Sequence, residues 1–287
     1  MMVIIMRKRR IKVSDVAAYV VVILTSIFFL FPLTYFLLIA FKHEEDILNI
    51  FATRYTIENF VKLLTEGALG EPPEAIIIRP LLNTVIISST ATVITLVVSL
   101  LAAYSVARFN FKGKEALSYF VLGQYMAPPI VALVPLWHIT TTLGLLDTHI
   151  ILIWCYTMFG IPLAFWMLRS FIMTSTPVEL EEAALIDGCS RIGALIHVVL
   201  PLLRPGMAVT FILTFLFNWN EFLFASTLTA TKAYTITVSI AKFGAWLYIT
   251  WTEMAALCFI TLLPVIILAI LIQRYIVSGL TLGAVRA

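Results

Sequence analysis

Residues 176–206 read TPVELEEAALIDGCSRIGALIHVVLPLLRPG and form the only long run in this chain that is neither uniformly apolar nor a short turn. Its start carries helix signals, because Thr176 suits the N-cap, Pro177 suits the first helical position, and Glu179 follows three residues after the cap. Gly188 is expected to end this helix after about eleven residues. The segment therefore predicts a short acidic helix between two apolar runs.

A second helical piece is expected after Gly188. Ser190 can cap it, and four apolar residues recur at helical spacing on one face: Ile192, Leu195, Ile196 and Val199. The chain is then expected to break before the next apolar run, at Pro201, Pro205 and Gly206.

The composition identifies the setting of this segment. Hydrophobic residues make up 61% of the 287 residues and charged residues only 12%, whereas a soluble domain is about half apolar and a quarter charged. Such a chain cannot hide its apolar residues in one globular core. We expect an all-α integral membrane protein.

Six apolar runs are long enough to cross a bilayer, which needs about 20 residues each. Their approximate limits are 16–41, 81–107, 116–139, 149–168, 206–229 and 253–273. The chain then divides into a basic tail (1–15), a transmembrane domain (16–273) and a C-terminal tail (274–287). Pro128, Pro129 and Pro135 should bend or break the third span, because proline removes a backbone donor.

The distribution of basic residues predicts the orientation. With both termini on the same side, that side carries 13 Lys and Arg residues and the other side 6. Positive charge favours the cytoplasmic side of a plasma membrane. We therefore expect both termini and the 169–205 segment in the cytoplasm, with the basic stretch 7–12 contacting lipid headgroups.

Four residues with polar groups lie well inside the fifth apolar run: Asn218, Trp219, Asn220 and Glu221. A carboxylate at such a depth costs about 2.5–3.5 kcal/mol on insertion scales. These residues must therefore face a cavity, a partner or one another. They could line a transport route, or they could form hydrogen bonds that hold helices together.

Several chemical functions have no sequence signal. A phosphate-binding G-x-x-x-x-G-K-[ST] loop, the H-E-x-x-H and G-x-S-x-G motifs and a paired-carboxylate motif do not occur. The three cysteines show no C-x-x-C spacing, so neither a disulfide framework nor a metal site is indicated. We expect no enzyme activity, no cofactor and no nucleic-acid partner.

The spacing within 176–206 resembles a known motif. Glu182-Ala183-Ala184 is followed by three residues, Gly188, nine further residues, Val198, one residue and then Leu200-Pro201. This register is similar to the EAA loop of permease subunits in ATP-driven (ABC-type) importers. The W-N-E element at 219–221 and the tail 279–286 resemble those of carbohydrate permeases of the maltose-permease-like type.

The resemblance implies six transmembrane helices, with a cytoplasmic coupling helix between spans four and five. The implied ATPase-coupling residues are Glu179, Glu182, Ala183, Ala184, Asp187, Gly188, Leu200 and Pro201. The implied partners are a second permease, two ATP-binding subunits that hold ATP and Mg²⁺, and an external solute-binding protein. The implied cargo is a di- or oligosaccharide, with residues 218–221 on the translocation path.

Three alternatives remain at this point. An ion-coupled secondary transporter needs ionisable residues in the membrane and often has two repeated halves, but Glu221 is the only acid well inside a span and no convincing repeat is visible. An importer permease for a solute other than a sugar fits the same loop. A membrane-embedded enzyme lacks a candidate nucleophile–base pair or metal ligand set.

Overall fold

The computed structural model describes residues 13–50, 54–245 and 250–284. Within these ranges the chain forms helices and turns, with no β-strand. Five stretches are long and apolar enough to cross a membrane: Val16–Ile39, Glu74–Arg108, His149–Ser175, Arg191–Trp219 and Trp251–Gln273. The all-α membrane class is confirmed. The basic stretch 7–12 and the end of the tail at 285–287 lie outside the described residues.

The helices are numbered in chain order. The first six are α1 (Val13–Ile39), α2 (Glu58–Thr65), α3 (Arg79–Arg108), α4 (Lys114–Met126), α5 (Pro129–Thr142) and α6 (His149–Ser175). The others are α7 (Val178–Ile186), α8 (Arg191–Ala194), α9 (Leu200–Trp219), α10 (Leu223–Leu228), α11 (Ile236–Ala245) and α12 (Trp251–Ala284). Two π-helical turns, Glu74–Ile78 and Leu195–Val199, directly precede α3 and α9.

The third expected span is broken where the prolines predicted a bend. Helices α4 and α5 meet at an angle of 89°, and they give a sixth candidate span if they are counted together. Pro128 has an extended backbone (φ −60°, ψ 123°), and Pro129 opens α5. Because proline disfavours helical backbone in the residue before it, the pair ends one helix and starts another.

Helices α3, α6 and α9 pack together at the centre of the bundle. The inner side of α3 is a stripe of small hydroxyl residues, all buried: Thr84, Ser88, Thr92, Thr95 and Ser99. Small side chains let membrane helices approach closely. Gly206 of α9 is the tightest case, since a Cβ there would lie 2.5 Å from Cγ of Phe171 on α6.

The structure corrects the limits expected for the fifth span, 206–229. The helix does not break at Pro201 or Pro205; it continues from α8 through the π-helical turn into α9 and ends at Trp219. Pro201 stands in the first turn of α9, where a backbone donor is needed least. Residues 220–222 then leave the helix, and the chain resumes as α10.

The same π-helical turn changes the faces of the 191–199 segment. Leu195 and Val199 are buried, whereas Ile192 and Ile196 are 70% and 49% exposed. The expectation that all four would share one face is therefore wrong. A π-helical turn holds more residues than an α-helical turn, so it rotates the side chains that follow relative to ordinary helical spacing.

At the end of the bundle that carries residues 42–78, 143–148 and 229–236, Asp147 holds the 230–233 loop. Its carboxylate accepts hydrogen bonds of 3.0–3.1 Å from the backbone N–H groups of residues 230–233 and from the Thr231 hydroxyl. Burial alone would raise the pKa of Asp147, but these backbone hydrogen bonds hold that pKa far below its ordinary value. The backbone N–H groups of the 230–233 loop therefore bind a side-chain carboxylate that stays ionised.

Helix α1 is apolar on every side and is almost uncovered by the rest of the chain. Phe28 and Phe29 are 74% and 65% exposed, and burial begins only at Ile39 and Ala40. A helix that is hydrophobic all round requires apolar surroundings on all sides. Lipid or a second membrane subunit must therefore cover α1.

Candidate functional site

Helix α7 lies between the spans α6 and α9, within residues 176–206. It begins one residue later than expected, because Pro177 rather than Thr176 holds the N-cap position. The Thr176 hydroxyl donates a 2.6 Å hydrogen bond to the carbonyl oxygen of Ile172 in the last turn of α6. The predicted cap at Thr176 is thus wrong, since its side chain is already engaged by the preceding helix.

The end of α7 has the geometry that Gly188 predicted. Gly188 has a left-handed backbone with φ +89°. Its N–H donates to the carbonyl of Leu185, and the N–H of Cys189 donates to the carbonyl of Ala184. These two bonds form a Schellman motif, which requires a residue that tolerates positive φ. Ser190 then accepts a 3.0 Å bond from the N–H of Gly193, which confirms its predicted capping role.

The inner side of α7 is joined to α3 by a buried ion pair. Arg108, the last residue of α3, donates from Nε to Oε1 of Glu181 at 2.6 Å. Its Nη2 donates to the carbonyl and hydroxyl oxygens of Thr176, both at 2.6 Å. The Tyr104 hydroxyl donates to the other Glu181 oxygen at 3.0 Å. Both carboxylate oxygens of Glu181 therefore accept a hydrogen bond, which a buried carboxylate needs in order to be stable.

Sequence reasoning missed Glu181 and Arg108 as site residues. A signal for Glu181 exists, because Ala184 and Leu185 follow it at helical spacing and share its inward side, where both are half-buried. No signal connects it to Arg108, which is 73 residues away in sequence.

The outer side of α7 is a free surface in this chain. Five of the expected coupling residues are exposed there, namely Glu179, Glu182, Ala183, Asp187 and Gly188, while Ala184 is half-buried. Large apolar side chains accompany them, with Leu180 48% and Ile186 86% exposed. Apolar groups grouped with charges on a surface mark an interaction site.

Leu200 and Pro201 are separated from that surface. They open α9, after the π-helical turn, and Leu200 is half-buried against the apolar cluster between α3, α6 and α9. Leu200 thus belongs to the packing beneath α7 rather than to the exposed surface.

The four residues of the fifth span divide into two pairs. Asn218 is buried and donates to the Thr92 hydroxyl of α3 at 3.0 Å. Trp219 is also buried, and its ring centroid lies 5.4 Å from that of Phe215. The Asn218 bond joins α9 to α3, as one of the two sequence interpretations proposed, whereas the ring contact of Trp219 lies within α9.

The other pair, Asn220 and Glu221, faces a cavity of about 710 Å³. Its remaining walls are mostly aromatic and aliphatic: Pro129, Tyr156, Phe159, Leu163, Leu213, Leu216, Phe217, Phe222, Leu223 and Phe224. The Glu221 carboxylate accepts hydrogen bonds from the N–H groups of Phe224 (2.9 Å) and Ala225 (3.2 Å) at the start of α10. An apolar cavity with a few fixed polar groups is suited to a small organic ligand.

Metal chemistry has no candidate ligand set in the part of the chain that the structure describes, where no three His, Cys, Asp or Glu side chains come together. Cys155, Cys189 and Cys258 are all free thiols, and Cys155 is buried.

Comparison with known proteins gives consistent matches. Residues 95–282 match the family described as binding-protein-dependent transport system inner membrane component. The trehalose/maltose transport system permease protein MalG of Thermococcus litoralis is 38% identical over 268 residues, covering 92% of this chain and 94% of that protein. The trehalose transport system permease protein SugB of Mycobacterium tuberculosis is 41% identical over 209 residues, covering 72% and 76% respectively.

The fold also matches a solved structure. A chain of a bacterial ABC transporter involved in the import of the acidic polysaccharide alginate superposes with a TM-score of 0.73 at 19% identity, covering 93% of this chain and 98% of that chain. A second structure of a bacterial alginate ABC transporter, in complex with an alginate pentasaccharide-bound periplasmic protein, matches with a TM-score of 0.65 at 18% identity, covering 91% and 94%.

Proposed function

This chain belongs to the binding-protein-dependent transport system inner membrane component family, and from that premise we propose that it is the membrane-spanning permease subunit of an ATP-driven sugar importer. The observation that carries the proposal is the match over most of the chain to permease proteins named for trehalose and maltose transport. The family is one of transport permeases and not of enzymes. Membership also favours this function over an ion-coupled carrier.

The cargo we propose is a di- or oligosaccharide. The cavity beside Asn220 and Glu221 supports this class, because aromatic rings can stack on a sugar face while amide and carboxylate groups bind hydroxyls. An importer for another solute would use the same α7 surface, so uptake measurements must distinguish the two.

We propose that this chain works with three other kinds of protein. ATP and Mg²⁺ would be bound by two separate ATPase subunits, which would dock on the outer side of α7. The uncovered α1 would pack against a second permease or lipid. An external solute-binding protein would deliver the sugar, as the periplasmic protein in the matched alginate complex suggests. Closure of the ATPases would then move α7 and alternate the access of the cavity.

Reconstitution tests this function directly. The chain would be co-expressed with the proposed second permease, ATPases and binding protein, and the complex placed in vesicles. We expect ATP-dependent uptake of radiolabelled trehalose or maltose that requires the binding protein. Binding-protein-dependent uptake of a non-sugar solute instead would reassign the cargo, and uptake driven by an ion gradient without ATP would refute the importer.

The orientation yields a separate prediction. The charge bias of 13 to 6 supports the proposal that α7 and both termini lie in the cytoplasm. In a chain with its own three cysteines replaced by serine, Glu66→Cys should react with an impermeant thiol reagent added to intact cells, whereas Lys112→Cys should react only after the membrane is opened. Labelling of both positions from outside would overturn this topology.

The cavity yields another prediction. Glu221→Leu should reduce uptake while leaving membrane insertion intact, because it removes a polar group from the cavity and leaves the amides at the start of α10 unpaired, at about 1–3 kcal/mol per amide. Glu221→Gln is the matched variant, since it keeps an acceptor oxygen and should retain more uptake. Full uptake by the Leu variant would exclude Glu221 from the translocation path.

A further inference from the structure

The contact between Arg108 and Glu181 is more deeply buried than an ordinary surface ion pair. The two side chains are only 7% and 4% exposed. A charge pair in such a position is costly to desolvate, so it needs a close geometric fit and further hydrogen bonds. Tyr104 and Thr176 supply those bonds.

This contact is the firm attachment of α7 to the spans. On either side, α7 is connected through non-helical backbone, namely the extended Thr176–Pro177 link before it and the left-handed Gly188 turn after it. Turns of this kind can change dihedral angles and so transmit movement poorly. The Arg108 guanidinium, in contrast, holds both Glu181 of α7 and the backbone of Thr176.

Helix α3, which receives this contact, is the one long spanning helix in the described residues that has no interior proline. The other spanning helices α1, α6, α9 and α12 each contain an interior proline, whereas α3 has proline only in its first turn. Interior prolines allow a helix to kink. Over 30 residues α3 extends about 45 Å at 1.5 Å per residue.

The far end of α3 is bonded to the loop on the other side of the bundle. Asn83 donates to the carbonyl oxygens of Lys232 (2.9 Å) and Tyr234 (3.0 Å), and its Oδ1 lies 2.7 Å from Nε2 of His149. The Thr84 hydroxyl accepts a bond from the N–H of Ile236. These bonds connect α3 to the 230–236 segment, which follows α10 and the cavity.

We propose that Arg108 is a positioning residue for transport, which transmits the movement of α7 through Glu181 into α3 and so to the opposite side of the membrane. The proposal rests on the proposed function, because it concerns how ATPase closure reaches the spans. Arg108 itself would not contact the ATPase.

The test compares uptake with ATP hydrolysis in the reconstituted complex. In the complex that Arg108→Ala forms with the ATPases, the sugar transported per ATP should fall about tenfold, within the usual range of coupling between sites. Lys112→Ala, which removes an exposed cation from the same end, should leave this ratio unchanged. Arg108→Lys should restore part of it, since it returns the charge without the second contact to Thr176.

If Arg108 had a purely structural role, its loss would lower the amount of complex. The sugar transported per ATP by the complex that does form would stay unchanged. An assembled Arg108→Ala complex with the wild-type ratio would therefore overturn the proposal. If that variant does not assemble, Glu181→Gln is measured instead, because it keeps the shape of the Arg108–Glu181 contact and removes the carboxylate charge. A wild-type amount of sugar transported per ATP in Glu181→Gln also overturns the proposal. A lowered amount supports it. Absence of ATP-driven uptake in the wild-type complex would instead refute the proposed function.

Discussion

Glu182→Lys is expected to abolish coupled transport while leaving insertion and pairing with the second permease intact. Glu182 is exposed beside Ala183 on the outer side of α7, where small neighbours allow another protein to approach closely. We expect its carboxylate to meet a basic residue of the ATPase. Breaking one side of an ion pair that becomes buried costs about 3–5 kcal/mol, which weakens association on the order of a hundredfold or more.

The measurement is co-purification of the complex, followed by binding-protein-stimulated ATP hydrolysis in vesicles. Lys112→Glu is the control, since it reverses the charge of another exposed residue on the same end of the bundle. Gly188→Val tests the position of α7 independently, because it keeps every charge but opposes the left-handed backbone at φ +89°. Normal assembly and coupled transport in both Glu182→Lys and Gly188→Val would refute docking on α7.

Gly206→Val is expected to destabilise the packing of α6 against α9. A Cβ at this position would lie 2.5–2.8 Å from three ring carbons of Phe171, including Cγ near the root of that side chain. The ring cannot swing aside at that point, so α6 and α9 must move apart. Overpacking of this kind costs about 1–3 kcal/mol and sometimes more.

The yield of membrane-inserted protein and its melting temperature in detergent measure this effect. Both should fall clearly for Gly206→Val. Gly123→Val in α4 is the matched control, because a Cβ there meets no atom within 4 Å, and its melting temperature should not fall below that of the wild type. A wild-type melting temperature for Gly206→Val would show that the α6–α9 contact is looser than described.

Local features of the fold were predictable because their causes are local. The bend at Pro128 and Pro129, the left-handed Gly188 and the Ser190 cap each depend on a few neighbouring residues. Apolar composition alone identified the membrane class. These features are set by backbone chemistry that a short stretch of sequence already contains.

Features that depend on distant contacts were not predictable. Thr176 looked like a cap, but its hydroxyl is bonded to Ile172 and receives Arg108. The predicted limits of the fifth span, 206–229, were wrong because the helix continues through the π-helical turn at Leu195–Val199 and beyond Pro201. Likewise, the sequence pattern allowed Asn218 and Glu221 the same two possible roles. The helix ends after Trp219, and as a result Asn218 points to α3 whereas Glu221 lines the cavity.

The buried carboxylate of Glu181 sets a condition on building chimaeric permeases. Grafting residues 176–190 alone into another framework would carry this acid into a site with no guanidinium to receive it, and the hybrid would contain an uncompensated buried charge. The smallest exchangeable unit therefore includes the last turn of α3, with Tyr104 and Arg108. Two segments far apart in sequence must be inherited, or engineered, as one part.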